Sequence, residues 1–173
     1  RQIARAPASA RDDRFDVVVP TTEQRSIAAG WLLLGVAALI GAGVFSILLV
    51  LARTPFFANL VPAGDFFRVA LVVHVDLSVL VWFVSMAGML WTIDTSPRSL
   101  WLGWLALWVT GLGTLFMAVA PFTGAATPVM SNYVPVLDND TFLYGLVVFG
   151  AGFLMLTLRS FVGPTDKLPH PSF

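Results

Sequence analysis

The chain has 173 residues, of which 57% are hydrophobic and 12% charged, and its formal net charge is zero. With a mean hydropathy of +0.83 it carries more apolar surface than a soluble domain of this length can bury, so a membrane is its expected solvent. Zero net charge speaks against a nucleic-acid partner, and the lack of cysteine excludes disulfides, iron–sulfur clusters, thiolate zinc and cysteine nucleophiles.

Residues 1–25 read as a polar arm in which arginines alternate with Asp12, Asp13 and Asp16. It has no apolar stretch that would mark a cleavable signal peptide. The chain opens on Arg1 rather than Met, as expected of a processed start or of a piece of something longer. Four apolar runs follow, at 27–52, 66–93, 100–120 and 142–158, each near the roughly 20 residues a helix needs to cross about 30 Å of hydrocarbon. Pro55, Pro62, Pro97, Pro121, Pro128, Pro135 and Pro164 all fall between or beyond these runs, where helix-ending residues belong. The expected fold is therefore all-α, a polytopic membrane bundle of four transmembrane helices. Its domain lies at 26–162, between the arm and a tail at 163–173.

The distribution of basic residues sets the direction. With the N-terminus in the cytoplasm, Arg1, Arg5, Arg11, Arg14, Arg25, Arg98, Arg159 and Lys167 lie inside, and Arg53 and Arg68 outside. That places both termini in the cytoplasm, and a bacterial inner membrane is the expected setting. The third loop, 121–141, is then external.

The second run contains the residue that needs a reason. It reads Phe66-Phe67-Arg68-Val-Ala-Leu-Val-Val-His74-Val-Asp76-Leu-Ser78, and an imidazole inside a bilayer is costly and usually functional. Counting eight residues from Phe66 at about 1.5 Å each puts His74 roughly 12 Å into the outer half. Neutral imidazole is a common axial ligand of haem iron. On the same helical face lie Phe67, Ala70, Leu71, Leu77, Ser78 and Val81, and the small Ala70 and Ser78 leave room for a flat group or a close helix contact. A bond across the bundle, or a place on a proton path, explains the same residue. Asp76 lies about 200° further round and points elsewhere. A pair with a tryptophan N–H or a basic group on another helix would account for it, as would a role in proton transfer.

Trp91, Trp101 and Trp104 fall at the cytoplasmic ends of the second and third runs, as interfacial anchors do. Gly111, Gly113, Gly145, Gly150 and Gly152 are expected at close helix contacts. His170 sits in the proline-rich tail, so the spans hold a single histidine and no bis-histidine cytochrome can be completed within this chain.

The stretch from Phe67 to His74 resembles the low-spin haem helix of subunit I of the haem-copper oxidases, a family related to the nitric oxide reductases. The short loop with Asp94, Pro97 and Arg98, the Trp/Leu/Gly-rich third helix, and Asn132-Tyr133-Val-Pro135-Val-Leu-Asp138 before the fourth are similar to that family in order and spacing. The likeness runs from Arg25 to Arg159. It implies that His74, flanked by Phe67, Ala70 and Ser78, gives one axial bond to a low-spin haem. Electrons from cytochrome c or quinol would pass through it to a haem–copper centre that reduces oxygen. That centre, its histidines and the second axial ligand belong to later helices of the family, so other membrane subunits or segments are the implied partners, and this chain is not catalytically complete. Two further readings stand beside it: a non-catalytic four-helix scaffold in a respiratory or photosynthetic complex, and a membrane anchor in which His74 bonds a quinone carbonyl.

Overall fold

A computed structural model describes residues 19–55, 66–95, 99–124, 126–129 and 135–162. Most of the N-terminal arm, the tail with His170, and Pro97, Arg98, Asn132 and Tyr133 lie outside the described residues. The fold is all-α apart from one small hairpin. In chain order it comprises α1 (Thr22–Ala52), α2 (Phe66–Val75), a π-helical turn (Asp76–Val81), α3 (Trp82–Asp94), α4 (Leu100–Val119), a 3-10 turn (Ala120–Phe122), strands β1 (Thr127–Val129) and β2 (Val136–Asp138), and α5 (Asp140–Val162). The π turn joins α2 to α3 as one continuous helix. The described chain thus has four helices long and apolar enough to span a membrane: Thr22–Ala52, Phe66–Asp94, Leu100–Phe122 and Asp140–Arg159. The chain is an integral membrane protein by this measure.

Helix α1 begins five residues before the apolar run, inside the expected arm, and the cause is a capping box. Thr21 Oγ1 accepts from the Gln24 backbone N–H at 3.2 Å, and Gln24 Oε1 accepts from the Thr21 N–H at 2.9 Å, so two otherwise unpaired donors are satisfied together. Gln24 also reaches across the bundle. Its Nε2 donates to the backbone oxygens of Thr95 at 2.6 Å and Thr92 at 3.4 Å, tying the start of α1 to the end of α3.

Helix α1 packs along the whole α2–α3 span, and α4 packs closely against α5. The second contact depends on two glycines. A Cβ added to Gly113 would lie 2.6 Å from the Gly145 backbone oxygen, and one on Gly145 would lie 2.8 Å from the Met117 nitrogen. Any side chain there would force the backbones apart. Gly152 also sits against the α4 backbone, whereas Gly150 faces open space and Gly111 only grazes Leu34. Of the five glycines expected at close contacts, three are there.

The core has two parts. Ile27, Trp31, Ala106, Leu107 and Leu156 fill the end where α1 begins. The larger part, around Ala42, Val73, Leu77, Met117 and Phe149, fills the other end. There the third loop folds back as an antiparallel hairpin, Pro128 opposite Leu137. The sequence showed it only as a loop, because three-residue strands carry no usable alternation. Leu137 and Phe142 plug the bundle, under a ring cluster in which Phe122 lies 6.2 Å from Phe45 and 6.3 Å from Phe66. Outward, α1 shows Leu33, Ile40 and Ile47 and α4 shows Trp108, a surface suited to hydrocarbon rather than water. Trp91, Trp101 and Trp104 also face out.

Candidate functional site

Two residues before the π turn, His74 is half-buried and turned toward α1. Its Nδ1 lies 2.9 Å from the backbone oxygen of Ala42 and 3.2 Å from Ser46 Oγ. Ala42 and Ser46 are four apart, hence stacked on one face of α1. A carbonyl oxygen can only accept, so the contact with Ala42 requires a proton on Nδ1. In the neutral ring Nε2 is then unprotonated and keeps its lone pair. No hydrogen bond engages Nε2 among the described residues.

The π turn changes the register of the backbone bonds, and such turns often mark functional positions. Ser78 adjusts for the change: its hydroxyl donates to the His74 oxygen at 2.7 Å, with a longer contact of 3.3 Å to the Val75 oxygen. Ser78 therefore braces the backbone that carries the imidazole. Phe67 stands further out, with the Arg53 guanidinium carbon 4.0 Å from its ring centre, a cation–π contact joining the ends of α1 and α2. Ala70 is fully buried in the larger core. Of the four residues expected around a haem, the structure thus joins His74 and Ser78 directly, ties Phe67 to Arg53, and places Ala70 in the interior. Ala42 and Ser46, on α1, were not singled out in the sequence, where nothing local marks them as partners of His74.

Asp76 opens the π turn and is 1% exposed. Neither of its carboxyl oxygens has a hydrogen-bond partner among the described residues. Among the described residues neither a tryptophan N–H nor a basic side chain bonds it, and the buried Trp31 indole nitrogen is also without a partner. Among the described residues no three His, Cys, Asp or Glu side chains converge as a metal site. What the site offers is a single oriented imidazole nitrogen.

No family model and no solved structure matches the chain. It is 32% identical over 162 residues to an uncharacterised protein of Rickettsia prowazekii, covering 80% of this chain and 32% of that one. It is 29% identical over 129 residues to an uncharacterised protein of Aquifex aeolicus, covering 75% of this chain and 32% of that one. The chain therefore spans about a third of the length of the curated relatives it matches.

Proposed function

We propose that the chain supplies one axial histidine, His74, to a low-spin haem in a haem-copper-type terminal oxidase of a bacterial inner membrane. In this reading the arm and tail are cytoplasmic. The donor is cytochrome c or quinol, and the haem–copper centre that reduces oxygen lies on membrane helices outside this chain. The observation that carries the proposal is the Nδ1 bond to Ala42, 2.9 Å long. Ligand histidines commonly donate their second nitrogen to a backbone carbonyl, which fixes the tautomer and makes the ligating nitrogen more basic. Here that leaves Nε2 on a half-buried ring at the bundle surface, open to a group bound between this bundle and its neighbours. The residues fit an axial bond: the tautomer is the required one and Ser78 steadies the backbone behind it. A haem bound there would carry one electron at a time. The chain's own part is to hold the imidazole at fixed orientation and to exclude water with the aromatic cluster above.

The relatives' greater length supports the reading, because it leaves room for the remaining ligands. The decisive experiment is the reduced-minus-oxidised optical spectrum of the purified native complex, wild type beside His74→Ala. Loss of the low-spin band from an assembled complex is the expected result. An unchanged spectrum, or a complex with no haem, would leave His74 as a helix–helix fastener in a scaffold subunit.

A further inference from the structure

The second span meets α1 on both sides of the π turn. In α3, Ser85 and Gly88 face α1 closely: a Cβ on Gly35 would lie 3.1 Å from Ser85 Cβ, and one on Gly88 would lie 2.6 Å from the Trp31 ring. In α2, His74 Nδ1 reaches the Ala42 oxygen at 2.9 Å. The rotation between these two halves decides where the imidazole sits.

Ser85 follows His74 by eleven residues, which at about 100° per residue of α-helix is three turns and about 20° more. An unbroken α-helix would therefore put His74 almost in line with Ser85, which has no exposed surface, and would enclose the ring in the bundle. It would also carry Val73 and Val69 about 120° and about 160° from that line, away from the bundle. The observed burial is the reverse: Val69 and Val73 are buried, and His74 is half-buried. The π turn accounts for the difference. Its backbone bonds span five residues rather than four, so one residue passes without advancing the rotation, a setback of about 100°. With that setback Val73 falls about 20° from Ser85 and Val69 about 60°, while His74 moves to about 80°, the rim of the buried face.

Ser78 sits where the ladder changes. Val75 is the residue before the turn, and the Ser78 hydroxyl donates to the His74 oxygen at 2.7 Å, with the Val75 oxygen at 3.3 Å. A hydroxyl bonded back to the preceding turn disturbs regular α-helix, and this one engages the two carbonyls at the junction. We propose that the π turn, held by Ser78, is the device that turns His74 from the interior of the bundle to its rim, and that Ser78 is thereby a positioning residue for the group bound at Nε2. The part played in ligation rests on the haem reading above; the register does not.

The test compares Ser78→Ala, Ser78→Thr and deletion of Val79, an exposed residue of the turn, in the native complex. Electron paramagnetic resonance of the ferric low-spin haem reads the orientation of the imidazole plane through its largest g value. Ser78→Ala is expected to shift that value and to weaken haem retention by about tenfold. Ser78→Thr should restore both, because a threonine hydroxyl can bond back to the same oxygens. Deletion of Val79 should abolish the low-spin signal. A folded Ser78→Ala complex with wild-type g value and retention overturns the proposal, as does a low-spin signal that survives the deletion. Ser78→Ala decides the matter where the deletion does not assemble. The register is also read without haem, from a spin label on His74→Cys in lipid nanodiscs, whose accessibility to dissolved oxygen should drop when Ser78→Ala is added. Unchanged accessibility in that folded variant overturns the proposal. A wild-type complex without low-spin haem would sink the haem reading, and the spin label would then decide the register alone.

Discussion

The imidazole of His74 is held by the backbone oxygen of Ala42, 32 residues earlier and 2.9 Å away. A bond to main chain differs from a bond to a side chain in one practical way: no substitution on α1 deletes it. The nearby Ser46 hydroxyl, at 3.2 Å, is the part of the arrangement that can be removed separately. The two contacts make different predictions from the loss of His74 itself.

With a haem on His74 as proposed, Ser46→Ala should leave the low-spin band in place but weaken haem retention by about tenfold, at the low end of what removal of a group behind a ligand costs. The midpoint potential should move upward, because a histidine that donates one fewer hydrogen bond is a weaker electron donor to the ferric state. Haem content after mild detergent washing and a redox titration check both. A potential identical to wild type would mean that Ser46 merely lies beside the ring.

The Gln24 fastening should be measurable as stability. Gln24→Ala removes the reciprocal half of the capping box and the bonds to the Thr92 and Thr95 oxygens. A cost of about 1–2 kcal/mol is expected, read as a lowered thermal midpoint in detergent. Gln24→Glu keeps the acceptor that caps Thr21 but loses the donor to α3, so it should fall between the two.

How much of this was legible in the sequence follows from range. The four spans were legible because a membrane helix carries its own evidence in an uninterrupted apolar run. His74 was legible as the lone imidazole inside such a run. The start of α1 was placed late although Thr21-Thr22-Glu23-Gln24 has the capping-box pattern, because the hydrophobic run, rather than its cap, set the boundary. The π turn left no mark: Asp76-Leu-Ser-Val-Leu-Val81 has the composition of ordinary helix, and the change of register depends on Ser78 and on packing. The partner of His74 was out of reach for the same reason that most tertiary contacts are. Nothing local to residue 74 tells which oxygen on another helix will face it.

Two glycines, Gly113 inside the α4–α5 interface and Gly150 facing away from it, predict opposite outcomes. Gly113→Leu places a branched side chain where even a Cβ would collide with the Gly145 oxygen at 2.6 Å, so α4 and α5 should separate and assembled protein should be lost. Gly150→Ala meets nothing within 4 Å and gains about 1 kcal/mol of helix propensity. Its thermal midpoint should be equal to or above wild type. Expression and melting of the two variants side by side check the interface without reference to any cofactor.

Leu137 tests whether the hairpin is part of the fold or a loop laid over it. Its side chain is fully buried among Val69, Phe142 and their neighbours at the end of the bundle, while Val129 on the partner strand is exposed. Leu137→Ala should therefore cost about 2–4 kcal/mol, the range for a leucine truncated in a packed core, whereas Val129→Ala should change little. Unchanged stability in Leu137→Ala would mean that the hairpin contributes nothing to closing the bundle.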